Sequence, residues 1–147
     1  MIDEVDNFLK TVVAQYSSED GYGKACLFML ACIEAKQDHF SKSRIELNAV
    51  ATANKYWRGQ LVPDSILTAE RCACWKYHDE IRKNHQPNPE HLLSLRILIC
   101  TLYPIKDPAG GSDYLLDVLD NFIDFFTEKF PDSKELILSS LQLYFRA

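Results

Sequence analysis

The stretch Asp113-Tyr-Leu-Leu-Asp117-Val-Leu-Asp120-Asn-Phe122-Ile-Asp124-Phe-Phe126-Thr-Glu128-Lys-Phe130 is eighteen residues without Gly or Pro. Its acids recur at steps of four, three, four and four. At about 100° per residue, Asp113, Asp117, Asp120, Asp124 and Glu128 fall within an arc of about 80° on a helix. Leu115, Val118, Leu119, Phe122, Phe125 and Phe126 lie opposite. That pattern predicts an amphipathic helix from about Ser112 to Phe130, ended by Pro131. A polar outer face is ordinary. A face of one sign is not, because like charges four apart destabilise a helix by a few tenths of a kcal/mol per pair (about 0.2–0.5).

The same period runs outward in both directions. Ile2, Val5, Phe8, Leu9, Val12, Val13 and Tyr16 keep it, and Ser17–Gly21 is expected to break it. A second helix over about Tyr22–His39 is apolar on most sides and reads as central. Ser43-Arg-Ile-Glu46 has the form of a capping box opening a third helix, which Gly59 stops. Pro63 suits the first position of a fourth, and Asn88-Pro89-Glu90 opens a fifth that stops before Pro104. Lys106–Gly111 reads as a loop, and Asp132-Ser133-Lys134-Glu135 offers a second capping box for a last helix ending near Phe145. No alternating strand pattern interrupts this. The expectation is an all-α fold over residues 1–147: one compact domain of six or seven antiparallel helices.

Composition agrees with that reading. The chain has 147 residues, 47% hydrophobic and 25% charged, so it can bury a core without disulfide or metal support. Its net charge of −5 argues against binding nucleic acid. No eighteen-residue apolar run predicts a membrane span, and the acidic N-terminus lacks the layout of a secretory signal. Cys26, Cys32, Cys72, Cys74 and Cys100 all sit in apolar helical segments, as reduced and mostly buried thiols of a cytoplasmic protein would.

Candidate chemistry is sparse. Cys72 and Cys74 diverge by about 200° on a helix and cannot share an ion. Cys74 and His78 are four apart and could, but two ligands make no site, so no metal is expected. His39, His78, His85 and His91 are scattered, and His85 and His91 flank a turn and read as exposed. Gly110-Gly111-Ser112 lacks the lysine of a phosphate loop and reads as a turn with an N-cap. No nucleophile signature surrounds any Ser or Cys, so no enzyme and no cofactor are expected. Trp57, Trp75 and Tyr77 could wall an apolar pocket, though rings at helical spacing are more often core.

The segment Glu46-Leu-Asn-Ala-Val-Ala-Thr-Ala-Asn-Lys-Tyr-Trp57-Arg-Gly59, with Ala69–Glu80 after it, resembles small all-helical immunity proteins that guard bacteria against polymorphic or contact-delivered toxins. The matching positions are for packing: Ala49, Trp57 and Gly59. No toxin-contact residue carries over. The resemblance implies a binding protein that occludes a cognate toxin, often a nuclease with a basic site, without catalysis. The single-sign face is then the expected docking surface for a basic protein partner. A second class of function is a small-molecule-binding regulator or enzyme with a pocket near Trp57, Trp75 and Tyr77. A third is a helical adaptor or scaffold. A closed core beneath an uncovered ridge favours the first, and an open aromatic cavity the second.

Overall fold

The computed structural model describes residues 2–84, 87–104 and 111–146, together with the backbone but not the side chains of Ile2, Asp3, Gly111, Ser112 and Asp113. Seven α-helices and no strand occur among the described residues: α1 (Ile2–Thr11), α2 (Ser18–Ala35), α3 (Arg44–Trp57), α4 (Asp64–Arg82), α5 (Pro89–Ile99), α6 (Gly111–Lys129) and α7 (Lys134–Tyr144). Single 3-10 turns follow α1 (Val13–Gln15) and α2 (Gln37–Phe40). No helix among the described residues is long and apolar enough to cross a membrane. The all-α class expected from the periodicity is what the chain adopts.

By its contacts the chain falls into two compact units. The first holds residues 1–32 and 105–147. In it, α1 packs on α7, and α6 packs on the turn after α1. Its centre is aromatic. Phe28 of α2 meets Phe122 of α6 edge to face at 5.6 Å, Phe122 stacks on Phe126 at 5.5 Å, and Phe126 lies 4.8 Å from Phe130. The Phe28, Phe122 and Phe126 rings are fully buried with Leu115, Leu119, Ile137 and Leu141. Such pairs add about 0.5–1.5 kcal/mol each beyond area burial.

Helix α2 begins earlier than the sequence predicts. The Ser17–Gly21 stretch is its entry and first turn, with the Ser17 hydroxyl accepting from the Asp20 amide at 3.1 Å. Gly21 is a close-approach position inside the helix: a Cβ there would collide with the buried Leu115 side chain of α6. The glycine that reads as a breaker is a packing device. At the other end of this unit, the second capping box, Asp132 with Glu135, does not form, because the helix starts one residue late with Ser133 at its N-cap. The Ser133 hydroxyl donates backward to the Phe130 carbonyl at 2.6 Å, and α7 starts without a side-chain cap.

The second unit, residues 33–104, is a three-helix array in which α3 packs on α4 and on α5, and α4 on α5. Its terminators behave as read. Ser43 caps α3 by accepting from the Glu46 amide. Gly59 takes φ +84° just after α3. Asn88 accepts from the amides of Glu90 and His91 at the head of α5. Pro63 differs by one position, standing at the N-cap of α4 with the helix starting at Asp64. Leu67 and Cys74 of α4 and Leu95, Ile97 and Leu98 of α5 build the core.

Candidate interaction surface

The acidic face of α6 is present where its period placed it. Asp117, Asp120, Asp124 and Glu128 are all exposed, while Leu115, Leu119, Phe122 and Phe126 are buried behind them. The Asp113 side chain lies outside the described residues. Helix α1 flanks the ridge and changes its charge. Asp6 and Lys10, one turn apart on α1, form an ion pair at 2.9 Å. Both act on Asp120, whose carboxyl is raised above its ordinary value, first by partial burial and then by Asp124, Asp6 and Asp117. Lys10 opposes this. That lysine is itself held protonated mainly by its hydrogen bond to Asp6 and only last by Asp120.

Lys10 therefore leans on the ridge and brings an acid with it. Among the described residues, no ion pair reaches Asp117, Asp124 or Glu128. Nearby, Glu4 of α1 binds Lys134 of α7 at 2.9 Å, which lowers the Glu4 carboxyl below its usual range. Chemically the ridge is a negative field on a rigid helix. It can attract and orient a cationic surface, and it holds no nucleophile.

The three aromatic candidates go to separate partners in the second unit. The Trp57 indole N–H donates to the Thr101 carbonyl at 2.7 Å, and its ring meets Tyr56 at 4.7 Å. That bond goes to the chain just beyond α5. Trp75 stands edge-on to His78 at 5.3 Å, and Tyr77 edge-on to His91 at 5.5 Å. A groove of about 650 Å³ does exist in this unit, between the end of α2 with its following turn and the outer face of α3. Ile33, Phe40, Val50 and Ala51 form its apolar part, and Glu34, Asn54 and Arg58 its polar end. None of the three aromatic candidates lines it.

Two buried polar clusters were not visible in the sequence. His78 is buried, with Nδ1 3.2 Å from Asp79 Oδ1, and its Nε2 accepts from Arg96 Nε at 3.2 Å. Both ring nitrogens are engaged, which takes His78 away from Cys74 as a second ligand. Among the described residues no three His, Cys, Asp or Glu side chains gather as a metal site would need. The other cluster corrects the placement of His91, which reads as exposed but is half-buried, with Nε2 3.3 Å from the buried carboxylate of Glu46. His85, its neighbour across the turn, lies outside the described residues. The only hint in sequence was the Ser43/Glu46 box, which explains the Glu46 backbone contact but not its burial.

The thiols divide by position. All five cysteines are free; Cys26, Cys32 and Cys74 are buried, Cys100 is half-buried and Cys72 is exposed. Burial pushes the Cys32 and Cys74 thiols up to about 12.

Comparison with family models, with curated proteins and with solved structures yields no match.

Proposed function

We propose that this chain is a non-catalytic binding protein of the immunity type, which neutralises a cognate bacterial toxin by docking its α6 ridge on a basic surface. The observation that supports this reading is the uncompensated charge. Four exposed carboxylates share one helix face, Asp6 of α1 adds a fifth, and Lys10, which acts on Asp120, is already paired with that Asp6. Holding those charges together costs stability, and a cationic partner would recover that cost on binding. A nuclease toxin with a basic active site fits such a face as a mimic of its polyanionic substrate.

The test is biological. The product of the gene immediately upstream is expressed as the toxin, with this chain or its Asp117→Asn/Asp120→Asn/Asp124→Asn variant supplied in the same cells. The parent protects and the variant protects poorly. Equal protection places the interface elsewhere. No protection by the parent removes the immunity reading.

A second reading has one observation behind it, the groove beside α3. Its size falls in the range of small-ligand sites, about 300–1,000 Å³. A small-molecule-binding regulator would then use Ile33, Val50 and Asn54 rather than Trp57, Trp75 and Tyr77. Ala51→Trp, which fills the groove, would abolish that activity and leave toxin neutralisation intact.

A further inference from the structure

One charged pair closes the polar end of the groove beside α3. Glu34, in the last turn of α2, lies 3.9 Å from Arg58, just past the end of α3, and both line the groove. The pair is open, with 66% of the Glu34 side chain and 46% of the Arg58 side chain in solvent. An ion pair so exposed contributes little, so either partner turns to a ligand at small cost. Arg58 is nonetheless aimed. Its Nε donates to Asn54 Oδ1 at 3.1 Å, and Asn54 Nδ2 donates to the Val50 carbonyl at 3.0 Å. Both ends of that amide are engaged, which fixes its orientation and with it the guanidinium plane. The Nη groups of Arg58 make no hydrogen bond among the described residues. Away from this end the lining is apolar. Leu47, Val50 and Ala51 share one face of α3, with buried Ile33 and Phe40 opposite. Leu47 is half-exposed there, and it stands about 17 Å from Arg58 along the helix, at about 1.5 Å per residue. Asp38, in the turn after α2, is a second acid in the lining.

Resting on the small-ligand reading of this groove, we infer that its ligand is an amphipathic zwitterion: a molecule with an ammonium and a carboxylate side by side on a hydrocarbon body. An α-amino acid with a long apolar side chain is the simplest form. The carboxylate takes the free Nη donors of Arg58, whose planar fork matches its two oxygens. The ammonium takes Glu34, and Asp38 adds to the field that favours it. The body lies along Val50 and Ala51 towards Leu47, covering apolar surface that is now open to water. The mixed lining selects against either charge alone. A purely anionic head meets the two carboxylates, and a purely cationic head meets a guanidinium held in place. A zwitterion replaces both halves of the exposed pair at once, so neither Glu34 nor Arg58 is left without a partner.

Three probes of one chain length separate the classes: α-aminodecanoic acid, decanoate and decylamine. Each is titrated into the full chain at neutral pH, with calorimetry for affinity and backbone amide NMR shifts for location. The zwitterion binds at least about tenfold more tightly than either singly charged probe, and its shifts gather at Val50, Ala51 and Asn54. Arg58→Gln and Glu34→Gln, both at exposed positions, each weaken it by about tenfold or more. Decanoate or decylamine binding as tightly as the zwitterion, with shifts at the same amides, overturns the zwitterion and leaves the small-ligand groove standing. Equal affinity of the parent and both Gln variants for the zwitterion overturns it likewise. No binding by any probe, or shifts that gather elsewhere, overturns the groove reading as well. Should either variant fail to fold, the three probes on the parent decide alone.

Discussion

Single atoms decide several packing contacts in this molecule. Gly21 has room for a hydrogen and nothing more, because Leu115 fills the space where a Cβ would go and Tyr16 Cβ stands 3.2 Å away on the other side. Leu115 is wholly buried and has little room to retreat. Gly21→Val should cost about 2 kcal/mol by overpacking, despite the poor helix propensity of the glycine it replaces. Urea unfolding measures this, and a neutral or stabilising outcome means α2 and α6 are less closely apposed at that point. Thiol accessibility is a second residue-scale prediction. Under native conditions a maleimide should label Cys72 fast, and Cys26, Cys32 and Cys74 only after denaturation, because burial blocks all three and also holds the Cys32 and Cys74 thiols protonated. Mass spectrometry of native and unfolded samples reads the pattern, and rapid native labelling of Cys74 would contradict it.

Helix α6 shows what an element gains and loses by its sequence. Its aromatic side is fixed by Phe28, Phe122 and Phe126, so its acidic side is fixed too. Asp120 bears most of the consequence, being partly buried and then crowded by Asp124, by Asp6 on α1 and by Asp117. A carboxyl raised in the folded state binds its proton more tightly there than in the unfolded chain. The ionised form therefore penalises folding at neutral pH, and the penalty fades as pH drops through the raised value towards the ordinary one near 3.9. Asp120→Asn should accordingly stabilise the protein at pH 7, by up to about 0.5 kcal/mol since the group is exposed. The gain should vanish near pH 3.5, below about 3.9 where unfolded Asp is also protonated. Thermal unfolding at the two pH values tests the sign. Helix existence, caps and stops were legible in sequence because period, Ser43, Asn88 and Gly59 act locally. Gly21, Ser133 and His91 were misread for the opposite reason. Each answers to a residue elsewhere in the fold or to a competing backbone acceptor: Leu115, the Phe130 carbonyl and Glu46. The ridge itself was readable, since it lies within one helix. The flank supplied by Asp6 and Lys10 was not.

For the molecule as a whole, the question is whether its negative field serves a partner. Both ends of the sequence are acidic, with three Lys/Arg against seven Asp/Glu over residues 1–40 and four against eight over residues 105–147. The first unit gathers most of both segments, and the ridge is where four of those acids stand exposed together. If the field draws in a cationic toxin, it acts mainly on the rate of encounter, and salt screens it. The Asn substitutions keep side-chain shape and the buried face, so they separate charge from fold. The most direct measurement is the association rate with the upstream gene's product at low and moderate salt, for the parent and for Asp117→Asn/Asp120→Asn/Asp124→Asn. The account predicts a fast parent rate that drops roughly tenfold or more as salt rises, and a slow variant rate that barely responds. Identical rates and identical salt dependence for the two proteins would contradict it.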